Sequence, residues 1–311
     1  MQMQKYLFQC RFTSPARLPD YLGSTLRGAL GWALKKTGCA LRRQSCQGCP
    51  LIQRCAYGWL FATESCRTSQ GQTVNARPHP MVIQPEPDGN LERESGDLLR
   101  FTILLFGPAN DFFPHLVHAV RYMGKGGIGR GRWQGLGRFL VEQVHAGGET
   151  CFDRHKDKNI LNRPQNLMEI ALEPTEPSRH GSDSVQINLR TPLRLKRHNR
   201  LHHELPFSEL IRACLRRISA LEAAYGQGEP DLDYAGLINQ AREIETRENQ
   251  LRWQELFRWS NRQRKKISLA GLAGSCGYAG DVSPFLPLLT YCQEVHIGKQ
   301  TIFGLGWLEI Q

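Results

Sequence analysis

No stretch of the 311-residue chain approaches the ~18 or more consecutive apolar residues that a membrane span needs. The N-terminus, MQMQKYLFQCRFTSP, has neither the basic segment nor the apolar segment of a secretory leader. These absences argue against a helical membrane protein and lead us to expect a cytoplasmic one. Acidic residues are few: 29 Asp and Glu stand against 40 Lys and Arg, a net charge of +11. Such an excess favours nucleic acid or another polyanion as partner, with a basic enzyme lacking such a partner as the plainer alternative. GxxxxGK[ST] is missing from both glycine-rich segments, so neither is a Walker loop. Each precedes a strand rather than a helix, so neither is a dinucleotide fingerprint. HExxH and clustered carboxylates are also missing, which weighs against a hydrolytic metal centre.

What is present is 40% hydrophobic residues and a length sufficient for two ordinary domains. The segment 5–12 alternates like a strand, and 19–38 has Leu22, Leu26, Ala29, Ala33 and Leu34 at helical spacing. Strand 98–107 and helix 111–123 follow. In the second half, strand candidates at 167–173 and 185–195 precede a helix at 207–225, with Phe207, Leu210, Ile211, Cys214, Leu215, Ile218 and Leu221 on one face. The segment 226–250 gives no clear pattern.

Two segments repeat. IGRGRWQGLGRFL (128–140) and IGKQTIFGLGWLEI (297–310) share Ile-Gly-(Arg/Lys), four variable residues and Gly-Leu-Gly, 169 positions apart. Phe-x-Pro-x-Leu precedes each, at Phe112 and Phe285. Each half thus begins with strand and helix and ends with helix, glycine loop and strand. This predicts an α+β protein of tandem ferredoxin-like (RRM-like, βαββαβ) domains, at 1–148 and 160–311.

Glycine lets main-chain amides approach a ligand, and successive exposed amides bind anions. On that reading Gly135, Gly137, Gly304 and Gly306, with Arg130, Arg132 and Lys299, contact an RNA phosphate backbone. The alternative for the four glycines is a tight connection that needs glycine only to pack. Arg262, within the basic run SNRQRKK, lies near Trp253 and Trp259. It would grip RNA if those rings stack bases, although core packing is the usual role of tryptophan. Arg212, Arg216 and Arg217 on the 207–225 helix could track a phosphate strand.

Five of the ten cysteines fall between Cys39 and Cys66. Cys39, Cys46, Cys49 and Cys55 contain one CxxC flanked by two further cysteines. In a reducing compartment this suits a closed structural zinc site inserted in the first domain. An iron–sulfur cluster and four reduced, partly buried thiols are the alternatives. No cofactor is expected for catalysis.

The segments SLAGLAGSCGYAGDVSPFLPLL and HIGKQTIFGLGWLEI resemble the C-terminal module of the CRISPR repeat-RNA-processing endoribonucleases of the RAMP superfamily. LRWQELFRWSNRQRKKISLAG and TPLRLKRHNRLHHELPFSELIRACLRRI extend the likeness, and LPDYLGSTLRGALGWALKK followed by CQGCPLIQRCAYGWLF is similar to the N-terminal module. The resemblance implies two ferredoxin-like domains facing a cleft that holds CRISPR precursor RNA. It further implies metal-independent cleavage by the 2′-OH, leaving 2′,3′-cyclic phosphate and 5′-OH ends, and other effector subunits as further partners. The family often carries a histidine in or after the first helix, whereas the first histidine here is His79. Tyr21, Arg27 and Lys36 stand in that region and are the catalytic candidates. They are joined by His203, which with His202 precedes the first helix of the second domain; solvent-exposed capping is the other role for this histidine pair. A catalytically silent RNA-binding subunit is the alternative function.

Overall fold

The structure, a computed structural model, describes residues 1–41, 45–63, 77–86, 89–156, 164, 166–172, 183–197, 200–201, 204–260 and 263–311. It divides into two compact units, Gln2–Glu169 and Ile170–Gln311 with Met1. Each unit is a ferredoxin-like fold.

In the first unit, the strand Gln2–Phe12 alternates buried and half-exposed residues, as one face of a covered sheet requires. It leads into helix α1 (Leu22–Gly38), then helix α2 (Ala56–Phe61). The strands Met81–Pro85 and Leu98–Phe106, helix α3 (Phe113–Gly126) and the strand Phe139–Ala146 complete the module. Gln2–Phe12 lies between Leu98–Phe106 and Phe139–Ala146, with every pairing antiparallel, and Met81–Pro85 flanks Leu98–Phe106. The unit continues past the module. Glu149–Asp153 adds a hairpin strand to Phe139–Ala146, and Met168–Glu169 pairs back onto the first strand. Tyr6 stacks on Phe113 at 4.3 Å and joins the sheet to α3.

The second unit repeats this order. The strand Ser184–Leu193 is followed by helix α4 (Phe207–Tyr225), the short helix α5 (Tyr234–Gln240), strands Glu245–Asn249 and Gly271–Ala279, helix α6 (Leu286–Val295) and the strand Leu308–Ile310. Ser184–Leu193 again sits between the third and last strands of the sheet. Phe207 contacts both Tyr278 and Phe285, closing the core between α4 and the sheet. The stretch 226–250, patternless in sequence, holds α5 and an edge strand whose five residues are all exposed. An edge strand with no buried face has no alternation to read. Of the expected strand at 167–173, Met168–Glu169 alone is extended among the described residues.

The glycine loops are duplicates down to single hydrogen bonds. The amide of Ile128 donates to Gly137 O at 2.9 Å, and that of Ile297 donates to Gly306 O at 2.9 Å. The Arg130 amide reaches Arg17 O at 2.9 Å, and the Lys299 amide reaches Arg194 O at 2.9 Å. Gly137 N donates to Pro15 O and Gly306 N to Pro192 O. The Ser14 hydroxyl donates to Gly135 O and accepts from Arg138 N; the Thr191 hydroxyl donates to Gly304 O and accepts from Trp307 N. The partner segments are therefore a second repeat, Ser14-Pro15-Ala16-Arg17-Leu18 and Thr191-Pro192-Leu193-Arg194-Leu195.

Candidate nucleic-acid interface

The sequence of α1 supplies both a buried and a charged stripe. Leu26, Leu30, Ala33 and Leu34 are buried, while Arg27, Gly28, Gly31, Trp32, Lys35 and Lys36 recur at helical spacing on an adjoining strip. That strip, with Tyr57 and Phe61 of α2, lines a cleft of about 430 Å³. Two glycines make room for it. A Cβ on Gly31 would come within 2.9 Å of the Phe61 ring, so glycine lets α2 approach. A Cβ on Gly28 would meet nothing within 4 Å, so its missing side chain is open space.

Cations lie over the rings of this cleft. The Arg27 guanidinium is 5.0 Å from the Phe61 ring centre, and Lys35 Nζ is 5.4 Å from that of Tyr57. Tyr57 and Phe61 stack at 5.5 Å. Trp32 is 44% exposed and leans on Tyr122 of α3 at 5.4 Å. α1 has no acidic residue in its first turn, and Lys35 and Lys36 sit in its last turn, where the helix dipole favours positive charge. The cleft thus combines three cationic side chains with aromatic faces, which is the chemistry that holds a phosphodiester beside a base. Of the sequence candidates, Arg27 and Lys36 are brought together here. Lys35, Trp32 and Tyr57 are the additions; the four-residue spacing of Gly28, Trp32 and Lys36 is the signal that could have found them. Tyr21 does not line the cleft. It is the residue before α1, and burial holds its phenol far above the ordinary range, so it stays protonated.

Eight amides of the glycine loops are engaged internally. The amides of Ile128, Arg130, Gly135 and Gly137, and those of Ile297, Lys299, Gly304 and Gly306, all donate to main-chain carbonyls. A Cβ on Gly137 would lie 1.9 Å from Ile128 O, and one on Gly306 would lie 1.8 Å from Ile297 O. These two glycines are required by packing and by φ of +69° and +72°. Gly135 and Gly304 hold φ of +85° and +84° at the ends of 3₁₀ turns. The amides of these four glycines are thus engaged by main-chain carbonyls, and the expected phosphate contact falls to the flanking cations. The flanking cations behave otherwise: Arg130 and Lys299 keep their side chains exposed, and Arg132 is half-buried.

Other candidates separate. Arg217 is fully buried and donates to Val295 O and His296 O at 2.9 and 3.0 Å, so it caps α6 rather than tracking phosphate. Burial lowers its pKa to about 10. Arg212 pairs with Glu209. Trp259 is 63% exposed on the hairpin formed by Phe257–Ser260 and Lys265–Ser268, so it is a surface residue and not a core one. Arg262 and His203, with His202, lie outside the described residues.

Cys39, Cys46, Cys49 and Cys55 are free thiols of intermediate burial, whereas the other described cysteines are buried. Cys39 ends α1 and Cys55 precedes α2, with a turn between them in which Cys49 N donates to Cys46 O at 3.2 Å. Burial, then the neighbouring thiols of Cys55, Cys39 and Cys49, push the Cys46 thiol up, against the opposing charge of Lys35. Among the described residues, however, no three His, Cys, Asp or Glu side chains are grouped closely enough to hold a metal ion. The four thiols are spread over a helix end, a turn and a helix start, and the metal-binding insertion is not formed as a ligand set.

Comparison with known proteins decides the family. The model of the N-terminal-domain family AF_1859_N matches residues 1–170, and that of CRISPR-associated endoribonuclease Cas6 matches residues 187–308. The chain belongs to the family of the AF_1859_N N-terminal domain, and its second unit is similar to the CRISPR-associated Cas6 endoribonucleases. An uncharacterized protein of Archaeoglobus fulgidus is 27% identical over 300 residues, covering 94% of this chain and 93% of that one. A Cas6 product complex of Thermus thermophilus matches all of this chain and 99% of its own, at TM-score 0.55 and 12% identity. A partial Cas6-RT-Cas1–Cas2 complex matches at TM-score 0.60 and 14% identity; the chain covers 46% of that longer protein. At such identities the structural likeness speaks for the fold. The histidine that the sequence resemblance leads one to expect in or after the first helix is missing from α1. Among the described residues no helix is long and apolar enough to cross a membrane.

Proposed function

We propose that this chain binds CRISPR precursor RNA and cleaves it within repeats, without a metal, by attack of the 2′-OH on the adjacent phosphate. The observation that carries the reading is the cleft on α1 and α2, where Arg27, Lys35 and Lys36 flank aromatic rings in a chain whose second unit is similar to the Cas6 endoribonucleases. In the step, the 2′-oxygen forms a bond to phosphorus and the bond to the 5′-oxygen breaks. The 2′-OH loses its proton and the leaving oxygen gains one. The products are a 2′,3′-cyclic phosphate and a 5′-OH. Arg27 and Lys36 would carry the charge that accumulates on the phosphorane oxygens, a role that fixed cations fill without proton transfer. Tyr21, kept protonated, would serve by holding the entry to α1 rather than by touching the phosphate.

Repeat RNA incubated with the protein in EDTA tests this. Cleavage to cyclic-phosphate ends, blocked by a 2′-deoxy substitution at the cut, is the expected result. Tight binding without cleavage would favour a silent crRNA-binding subunit, a reading that the lack of a histidine on α1 supports. Strict dependence on added divalent metal would overturn the mechanism. Other CRISPR effector subunits are proposed partners, given the Cas1–Cas2 assembly named for one structural neighbour. Structural zinc at Cys39, Cys46, Cys49 and Cys55 is proposed from their spacing alone, and would require the turn at 46–49 to close onto the helix ends.

A further inference from the structure

The two glycine loops share a backbone but not a surface. In the second, Thr301, Ile302 and Phe303 are buried, and Arg258 from the hairpin at 257–268 lies 5.0 Å over the Phe303 ring. The matching positions of the first loop are Arg132, Trp133 and Gln134. Between the second and third sheet strands of the first unit the chain has the short segment 86–97, whose Glu92–Arg93 pairs with Ala16–Arg17. Trp133 is left 85% exposed, the most exposed large apolar side chain among the described residues.

Its surroundings are cationic. The Arg132 guanidinium lies 4.2 Å from the Trp133 ring centre. Arg138 projects beside Gly135, and Arg130 and Arg138 are exposed. Among the described residues Arg130, Arg132 and Arg138 have no ion pair, and Glu92, which pairs across the strand from Arg17, is engaged by Arg17 at 2.9 Å. An exposed indole beside three guanidinium groups free of ion pairs offers a ring face and positive charge to a partner that brings a planar ring and negative charge. A single-stranded nucleotide brings both, whereas a duplex hides its base faces.

We propose that the Arg132–Trp133 tip of the first glycine loop is a stacking platform for an unpaired nucleotide of the bound RNA, with Arg130 and Arg138 on the flanking phosphates. The proposal rests on the RNA-binding reading above and adds to it a place and a strand preference. The second loop, its tip buried, does not share this role.

The test uses fluorescence anisotropy with an oligouridylate of about 12 nucleotides and an RNA duplex of similar length. Trp133→Ala should weaken single-strand binding roughly tenfold, and Trp133→Phe should stay within about threefold of wild type. Duplex binding should change less than about twofold. Single-strand affinity of Trp133→Ala within about twofold of wild type, or an equal loss on both RNAs, would overturn the platform while leaving RNA binding intact. Absence of wild-type binding to either RNA and to repeat RNA would instead overturn the reading on which it rests. Truncation of so exposed a ring leaves the fold alone, and circular dichroism of the variants checks this.

Discussion

Replacing Gly137 by alanine isolates what the glycine loops are for. At φ +69° an alanine pays ~1–2 kcal/mol for a left-handed backbone. Its Cβ would also stand 1.9 Å from Ile128 O, which is backbone and cannot swing away. Relief requires the loop to shift and weakens two hydrogen bonds, Ile128 N to Gly137 O and Gly137 N to Pro15 O, at ~1 kcal/mol or more each. The sum is about 3–5 kcal/mol, a large part of the ~5–15 kcal/mol that stabilises a domain. Gly135→Ala pays the backbone term alone, since its Cβ would find no atom closer than 3.6 Å, in the Arg138 side chain. Urea unfolding read by hydrogen exchange, peptide by peptide, reports each unit separately. With a slope of ~2–3 kcal/mol per molar, Gly137→Ala should lower the midpoint of the Gln2–Glu169 unit by about 1–2 M, and Gly135→Ala by about 0.5 M. Equal shifts for the two variants would refute the packing argument. So would a Gly135→Ala protein of near-normal stability whose RNA affinity fell more than about tenfold, because that would restore the loop amides as ligands.

Further outcomes follow from the same contacts. Gly28→Ala should stabilise α1 by ~0.5–1 kcal/mol, because it adds helix propensity into open space; Gly28→Phe should fill the cleft and abolish RNA cleavage with the unfolding midpoint unchanged. Arg217→Met should cost ~2–4 kcal/mol in urea unfolding, by leaving two carbonyls of the α6 end unpaired, while RNA affinity measured below the transition stays within about twofold. Elemental analysis of protein purified without chelator should give about one zinc per chain if the four cysteines form a site, falling to zero in Cys49→Ala; less than about 0.2 in wild type would remove the metal from the account.

Much of the fold was legible because both halves alternate or repeat with clean periods. Strands Gln2–Phe12 and Leu98–Phe106 and helix α4 have one buried face, so their pattern survives in the sequence. The duplicated Gly-Leu-Gly pointed to the tandem plan, and Pro-x-Arg-Leu at 15–18 and 192–195, unnoticed in the sequence, closes the same hydrogen bonds. The site was harder to read. Glycines that need φ > 0 for packing look in sequence like glycines that bind phosphate, and only the positions of Ile128 O and Ile297 O tell them apart. Arg217 reads as one more surface cation of α4 until the carbonyls of Val295 and His296 are seen to accept its hydrogen bonds. Tyr57 and Trp32 gained their role through the approach of α2 to α1 at Gly31, a contact that no local pattern encodes.

The central claim is that cations of the α1 cleft drive metal-independent RNA scission. Single-turnover cleavage of a CRISPR-repeat RNA in EDTA, at saturating protein, tests it with wild type, Arg27→Ala and Lys36→Ala side by side. The account predicts cyclic-phosphate product from wild type and a rate at least about a hundredfold lower in each variant, with RNA still bound. Rates within about threefold of wild type in both variants would contradict it and move the chemistry away from α1.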